Sequence, residues 1–235
     1  MIQTPLMPAE KAAAIRIINV SKQYGGISAL QEVSLSVEEN EFVFVTGPSG
    51  AGKSTLIKLL YKGEAYTEGA ILVDGVNLAR VSRKQLPRLR RKFGVIFQDF
   101  KLISTRTVYE NVALVLEVAR VRQDIIEERV IEALETVAMA DRAHEYPPGL
   151  SGGEKQRVAV ARAIVGAPKF ILADEPTGSL DPDSARYIFA LLEMAHHNGA
   201  TVIIATHDAS LIHAHPGRVL KLDRGRMQED SLNEC

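Results

Sequence analysis

Cysteine is nearly absent from this chain: the only one among 235 residues is Cys235. No disulfide framework can form within the chain, and no thiolate cluster is available for a metal. An excess of charge of one sign is missing too. With 28 Lys and Arg against 29 Asp and Glu the formal charge is −1, so no global field recruits nucleic acid or anionic lipid. Long apolar runs are also lacking. The best candidate, Val108 to Val121, is broken by Glu110, Asn111, Glu117 and Arg120, short of the roughly 18 apolar residues a membrane span needs. Residues Met1 to Ala14 have no continuous apolar core behind a basic start, so no signal peptide is expected. There is no internal repeat, and His196-His197 and His213-Ala214-His215 lack the carboxylate or cysteine companions of a metal site. The expectation is a cytosolic protein that reaches a membrane only through something else.

What is present suits a soluble α/β domain: 46% apolar and 24% charged residues, in a chain long enough for one well-buried core. Ala14 to Val20 and Val33 to Val37 alternate as strands, with Ser21 to Gly26 between them read as a turn carrying Tyr24 near its tip. Phe42 to Val45 is an apolar run that flows into a glycine-rich loop, and Ser54 to Tyr61 reads as a helix. Ala70 to Val73 and Gly94 to Phe97 read as further strands. From Thr107 to about Ala140 the periodicity is helical, with Ile126, Val130, Leu134 and Val137 at spacings of three and four. After Lys169 the pattern is strand, helix, strand, helix, strand, which predicts a parallel sheet with right-handed crossovers.

Two glycine-rich motifs carry the chemistry. Gly47-Pro48-Ser49-Gly50-Ala51-Gly52-Lys53-Ser54 matches G-x-x-x-x-G-K-[ST], between an apolar strand and a helix. A triphosphate crowds negative oxygens together, so its site needs many donors and little bulk. The glycines let backbone N–H groups turn inward, and the helix that follows offers its positive end. Lys53 is expected to reach the β- and γ-phosphates, the Ser54 hydroxyl to ligate Mg²⁺, and Thr55 to donate to the α-phosphate. Counter-charge comes from Phe170-Ile171-Leu172-Ala173-Asp174-Glu175, an apolar run ending in carboxylates. Asp174 suits Mg²⁺ through its water shell, and Glu175 suits the orientation or deprotonation of an attacking water. The second motif, Leu150-Ser151-Gly152-Gly153-Glu154-Lys155-Gln156, opens a helix expected to run to about Val165. It is a second possible anion site and also an ordinary capping box of Ser151 with Glu154. His207 follows the apolar strand Val202 to Ala205, at the same rim of the sheet, where an imidazole can contact a γ-phosphate or simply cap the turn.

Two stretches remain outside this chemistry. Arg80, Arg83, Lys84, Arg88, Arg90, Arg91 and Lys92 form a basic run that reads either as a solvated face or as a surface for anionic lipid or an acidic loop. Phe100 to Tyr109 mixes apolar Phe100, Leu102, Ile103 and Tyr109 with Lys101 and Arg106, which reads either as an apolar anchor ringed by charge for docking a partner helix or as side chains that pack the helical lobe onto the sheet.

On these motifs the chain resembles the ATPase subunits of ABC transporters over about Ile15 to Met227. The resemblance implies a P-loop NTPase fold of the ABC type: a mainly parallel sheet core, an antiparallel β lobe and an inserted α-helical lobe at about residues 99–165. Residues 1–227 would form one nucleotide-binding domain and 228–235 a flexible tail. It implies ATP and Mg²⁺ as ligands and ATP hydrolysis as the activity. Tyr24 takes the place of the aromatic that stacks on adenine, and Gln98 that of the glutamine linking the Mg²⁺–water site to the membrane subunit. Asp181, in Ser179-Leu180-Asp181, falls in the loop that communicates across the dimer, and His207 at the switch histidine. Lys53, Glu175 and His207 take the catalytic positions, and Ser54, Gln98 and Asp174 the Mg²⁺ positions. The family's head-to-tail dimer would bring Ser151, Gly152, Gly153 and Glu154 of one copy to the γ-phosphate bound by the other. Glu41 to Leu56, Phe97-Gln98-Asp99-Phe100-Lys101-Leu102 and Thr107 to Ala113 resemble the family's cell-division branch. That branch implies an FtsX-like integral membrane partner, control of cell-wall hydrolysis, and contacts with division-ring proteins. The alternative within the family is a lipoprotein-release or macrolide-efflux ATPase. Ser179, Lys155 and Ile103-Ser104 depart from the usual residues. No nucleic acid is expected as a partner.

Overall fold

The computed structural model describes residues 13–232; Cys235 and most of the segment before Ala14 lie outside them. Ten strands and seven helices follow one another: β1 (Ile15–Tyr24), β2 (Ile27–Val37), β3 (Phe42–Thr46), α1 (Lys53–Leu60), β4 (Glu68–Val73), β5 (Val76–Asn77), α2 (Leu86–Arg90), β6 (Phe93–Ile96), α3 (Val108–Val118), α4 (Gln123–Thr136), α5 (Gly152–Ile164), β7 (Phe170–Asp174), α6 (Pro182–His197), β8 (Thr201–Ala205), α7 (Ala209–Ala214), β9 (Arg218–Asp223) and β10 (Arg226–Asp230). They form two sheets. One is antiparallel, in the order β2-β1-β4-β5; the other runs β10-β9-β3-β8-β7-β6. In the second sheet β9, β3, β8, β7 and β6 are parallel, and β10 closes the edge antiparallel to β9.

The apolar runs explain the parallel core. Strands β3, β7 and β8 are apolar on both faces, the pattern of strands covered from both sides. Phe42, Phe44, Ile171 and Ile204 pack toward α3 to α6, whereas Val43, Val45, Leu172 and Ile203 pack toward α1 and the antiparallel sheet. Helix α3 starts at a capping box in which Thr107 and Glu110 bond reciprocally.

Two local expectations are corrected. The turn read over Ser21 to Gly26 is mostly strand: Lys22, Gln23 and Tyr24 pair with Leu30, Ser28 and Ile27, and the chain reverses at Gly25-Gly26. Polar side chains there hide the alternation because the hairpin end is solvated on both faces. The segment from residue 228, expected as a flexible tail, opens as strand, since β10 runs through Gln228 to Asp230. A buried cation holds it down. Arg218 Nε and a terminal nitrogen donate to the two carboxylate oxygens of Asp230 at 2.7 and 2.5 Å, and its other terminal nitrogen donates to Glu41 Oε1 at 3.0 Å and Ser36 O at 2.7 Å.

Arg218→Ala strands two shielded carboxylates and should cost about 3–5 kcal/mol of stability. The Arg218 hydrogen bonds hold the Asp230 carboxyl below its ordinary range. A depressed carboxylate stabilises the fold above its unfolded pKa of about 4, and that contribution disappears as pH falls through the folded value. Chemical denaturation at neutral and acid pH should therefore show the deficit of Arg218→Ala shrinking with acidification. An unchanged deficit would mean that lost packing, not charge, causes it.

Candidate functional site

The C-terminal ends of adjacent parallel strands open onto one crevice, where ligands of such sheets sit. Strand β3 delivers the glycine loop, β7 delivers Asp174 and Glu175, β8 leads to His207, and β6 leads to Gln98. Pro48 to Thr55, Gln98, Glu175 and His207 line a cavity of about 420 Å³, with Ala29 of β2 on its wall.

The loop's glycines are sterically required at two places. Gly47 has φ 141°, and a Cβ there would lie 2.0 Å from Leu222 O. Gly52, the residue preceding α1, has φ 105°, and its Cβ would lie 2.5 Å from Ala29 O. Lys53 is only 7% exposed. Its ammonium donates to Gly47 O at 2.7 Å and Pro48 O at 3.2 Å, and lies 3.8 Å from Glu175 Oε1. Glu175 takes a left-handed backbone, φ 47°, with its N–H donating to Ala205 O. Its Oε1 also lies 2.8 Å from His207 Nδ1. Lysine, carboxylate and imidazole thus form one chain of contacts, although His207 itself is 67% exposed.

The Ser54 hydroxyl donates to Asp174 Oδ1 at 2.8 Å, joining residues 120 apart in sequence. Burial pushes the Asp174 carboxyl above its ordinary pKa; the Ser54 hydrogen bond opposes that, and the neighbouring Glu175 charge adds to it. A shielded carboxyl beside a second carboxylate gains most from a cation, and its hydroxyl partner is an oxygen donor of the hard kind Mg²⁺ selects. The residues fit the ion. Among the described residues no three His, Cys, Asp or Glu side chains cluster for a metal, so most of its ligands would come from phosphate and water.

Tyr24 lies at the end of β1, 40% exposed, with the Lys22 ammonium 4.5 Å from its ring centroid. The structure does not place it on the wall of the phosphate cavity. Nor does the second motif reach that cavity. Ser151 caps α5 by accepting from Glu154 N, while Glu154 accepts from Ser151 N at 2.8 Å. Ser151, Gly153 and Glu154 line a separate cavity of about 270 Å³ with Arg157, Asp183, Ser184 and Tyr187; the two cavities share no residue. Gly153 also has a packing reason to be glycine, because a Cβ there would meet Ser184 Oγ at 2.8 Å. Asp181 caps α6, accepting from the backbone of Asp183 and Ser184 and from the Ser184 hydroxyl.

Sequence reading missed two residues that hold the stretch after Gln98. Asn111, 1% exposed, donates to the carbonyls of Ile103, Arg106 and Thr107 and accepts from Ile103 N. Arg162 of α5 donates to Phe100 O and Lys101 O. A lone Asn between Thr107-Val108 and Val112-Ala113 was the available signal for the first; nothing local announced the second.

A phosphate loop between a buried strand and a helix, with carboxylates at a neighbouring strand end, defines a P-loop nucleoside-triphosphatase. Residues 30–178 match the ABC transporter family, and the chain belongs to that family. It is 44% identical over 217 residues to the cell division ATP-binding protein FtsE of Bacillus subtilis, covering 92% of this chain and 95% of that protein. Against the cell division ATP-binding protein FtsE of Escherichia coli the identity is 46% over 214 residues, 91% of this chain and 96% of that one. Among solved structures it resembles the dimeric post-hydrolysis ATP-binding cassette MJ0796 bound to ADP and Pi, with a TM-score of 0.85 and 34% identity over 92% of this chain and 97% of that one. CbiO1 of Clostridium perfringens, part of the ABC transporter complex cbiONQ, gives 0.83 and 32% over 93% and 88%. The fold is the ABC type of P-loop fold, and the activity is ATP hydrolysis. No helix among the described residues is long and apolar enough to cross a membrane.

Proposed function

We propose that this ATPase depends on Mg²⁺, pairs head to tail with a second copy when ATP binds, and drives an FtsX-like membrane partner that regulates cell-wall hydrolysis in division. The observation that carries the pairing is the separation of the two motifs. The phosphate loop lines one cavity and Ser151 and Gly153 another of the same chain, which supports a second copy as the source of the signature helix at the phosphates. The FtsE relatives support the division role.

In this reading the loop amides and Lys53 hold the phosphates. Glu175 orients the attacking water and accepts its proton on the carboxylate oxygen left free by His207. His207 fixes the rotamer of Glu175 and faces the γ-phosphate. Ser54, Gln98 and Asp174 would hold Mg²⁺, which supplies neutralisation of phosphate charge.

Tyr24 serves as the adenine platform, through its ring. Stacking is worth about 1–3 kcal/mol per base, so Tyr24→Ala should weaken ATP by that amount while Tyr24→Phe keeps the parental affinity. Equal losses in both would assign the effect to the hydroxyl.

The partner docks on the stretch from Phe100 to Tyr109. Leu102 and Tyr109 pack partly into the large apolar cluster, whereas Ile103 is 38% exposed on a loop fastened by Asn111. Ile103→Asp should leave the ATPase of the isolated chain intact and abolish capture of the FtsX-like subunit from detergent extract. Undiminished capture would place the docking site elsewhere.

A further inference from the structure

Between Asp74 and Asp99 the chain has seven Lys and Arg and no Asp or Glu. In a protein of formal charge −1, that concentrates positive charge on one segment while the remainder is acidic. The structure divides the seven into two groups. Arg90 donates to Lys62 O at 2.9 Å, Arg91 to Val118 O at 3.4 Å, and Lys92 pairs with Asp74 at 2.5 Å. These three fasten the segment to its surroundings. Arg80, Arg83, Lys84 and Arg88 are exposed, and no carboxylate of the described residues pairs with them. Buried Leu78, Val81 and Leu89 seat the same segment on the core, which turns the intervening cations outward.

We propose that Arg80, Arg83, Lys84 and Arg88 form a contact surface for anionic phospholipid headgroups. Four long cationic side chains without an acidic neighbour are what a negatively charged, laterally mobile surface attracts. None of the four lines either cavity described above, so a small anion finds no enclosure there. The aromatic residues of the segment, Phe93 and Phe97, are buried and half-buried, so unpaired bases have no exposed ring to stack on. The segment that carries the patch and the proposed docking stretch meet opposite ends of one helix, α3. Arg91 bonds to the C-terminal end of α3, and the N-terminal end of α3 carries Tyr109. The orientation of this face toward a bilayer rests on the membrane-partner reading above; its affinity for anionic lipid does not.

The test uses the intact chain without partner and vesicles of phosphatidylcholine with or without phosphatidylglycerol, at low and high salt. Binding is expected only with phosphatidylglycerol and should weaken as salt rises. The combined variant Arg80→Gln, Arg83→Gln, Lys84→Gln, Arg88→Gln should bind at least about tenfold more weakly while keeping the basal ATPase. A control with the same charge change at scattered exposed sites, Arg16→Gln, Arg122→Gln, Arg129→Gln, Arg186→Gln, should bind like the parent. No binding by the parent, or equal losses in the two variants, overturns the proposal. So does a patch variant that keeps vesicle binding but loses retention of a single-stranded DNA probe. Capture of the membrane subunit by the same variant is measured separately, so failure of the docking reading leaves the vesicle result interpretable.

Discussion

Glu175→Gln should bind ATP with near-parental affinity and hydrolyse it about 10²–10⁴-fold more slowly, the range a general base supplies. Glutamine keeps the shape of the side chain, and its carbonyl oxygen can still accept from His207 Nδ1 where Glu175 Oε1 does at 2.8 Å. What it loses is the ability to take a proton and the negative charge 3.8 Å from the Lys53 ammonium. With hydrolysis stalled, ATP remains bound, and mass action shifts the population toward whichever assembly binds it best. Single-turnover phosphate release gives the rate, and light scattering with and without ATP gives the assembly state. A variant that releases phosphate at the parental rate would remove Glu175 from the role of base. One that stalls but stays monomeric would keep the base and discard the ATP-driven pairing.

The second large effect is expected at the lysine. Lys53→Ala should weaken ATP by about 1.5–3 kcal/mol, the value of a charge-assisted hydrogen bond, or roughly tenfold to a hundredfold in affinity. The structure adds a complication that the motif does not reveal. The ammonium also donates to Gly47 O and Pro48 O inside its own loop. Removing it therefore unties the loop as well as the charge. Lys53→Met isolates the packing contribution, since it retains most of the side-chain volume but, like alanine, lacks both the charge and the donor to Gly47 O and Pro48 O. If both variants lose affinity equally and melt like the parent, phosphate contact is the cause. If a titration shows ATP binding unchanged in either, the lysine does not grip phosphate.

The phosphate loop was legible because its chemistry is local: eight consecutive residues supply the turn, the donors and the helix end. The parallel strands were legible because Phe42 to Val45, Phe170 to Ala173 and Val202 to Ala205 are apolar on both faces and need burial on both. Legibility stopped where partners lie far apart. The motifs put Ser54 and Asp174 at one Mg²⁺ site, but only the sheet order shows their direct hydrogen bond of 2.8 Å. The last three residues of β10 read as a tail because Gln228, Glu229 and Asp230 look solvated. The reason they are ordered is Arg218, twelve residues before Asp230 and itself satisfied by Glu41 from the other end of the chain. Tyr24 illustrates the opposite case. Its assignment rests on resemblance alone, and its ring stands beside Lys22, off the wall of the phosphate cavity.

The close approach of Gly47 to Leu222 O has its counterpart at Gly225, whose N–H donates to Ala51 O at 3.0 Å. The bend between β9 and β10 is therefore a buttress beneath the ATP grip, although it is made some 170 residues later, the separation of Ala51 from Gly225. A ribosome that has delivered residues 47–54 must add some 170 more before their support exists. Until then the loop has its glycines and its lysine but no floor to hold them in shape. Nucleotide grip is thus expected only once residue 225 has been made, and a chain cut short before Leu222 should carry an intact motif with weakened ATP binding.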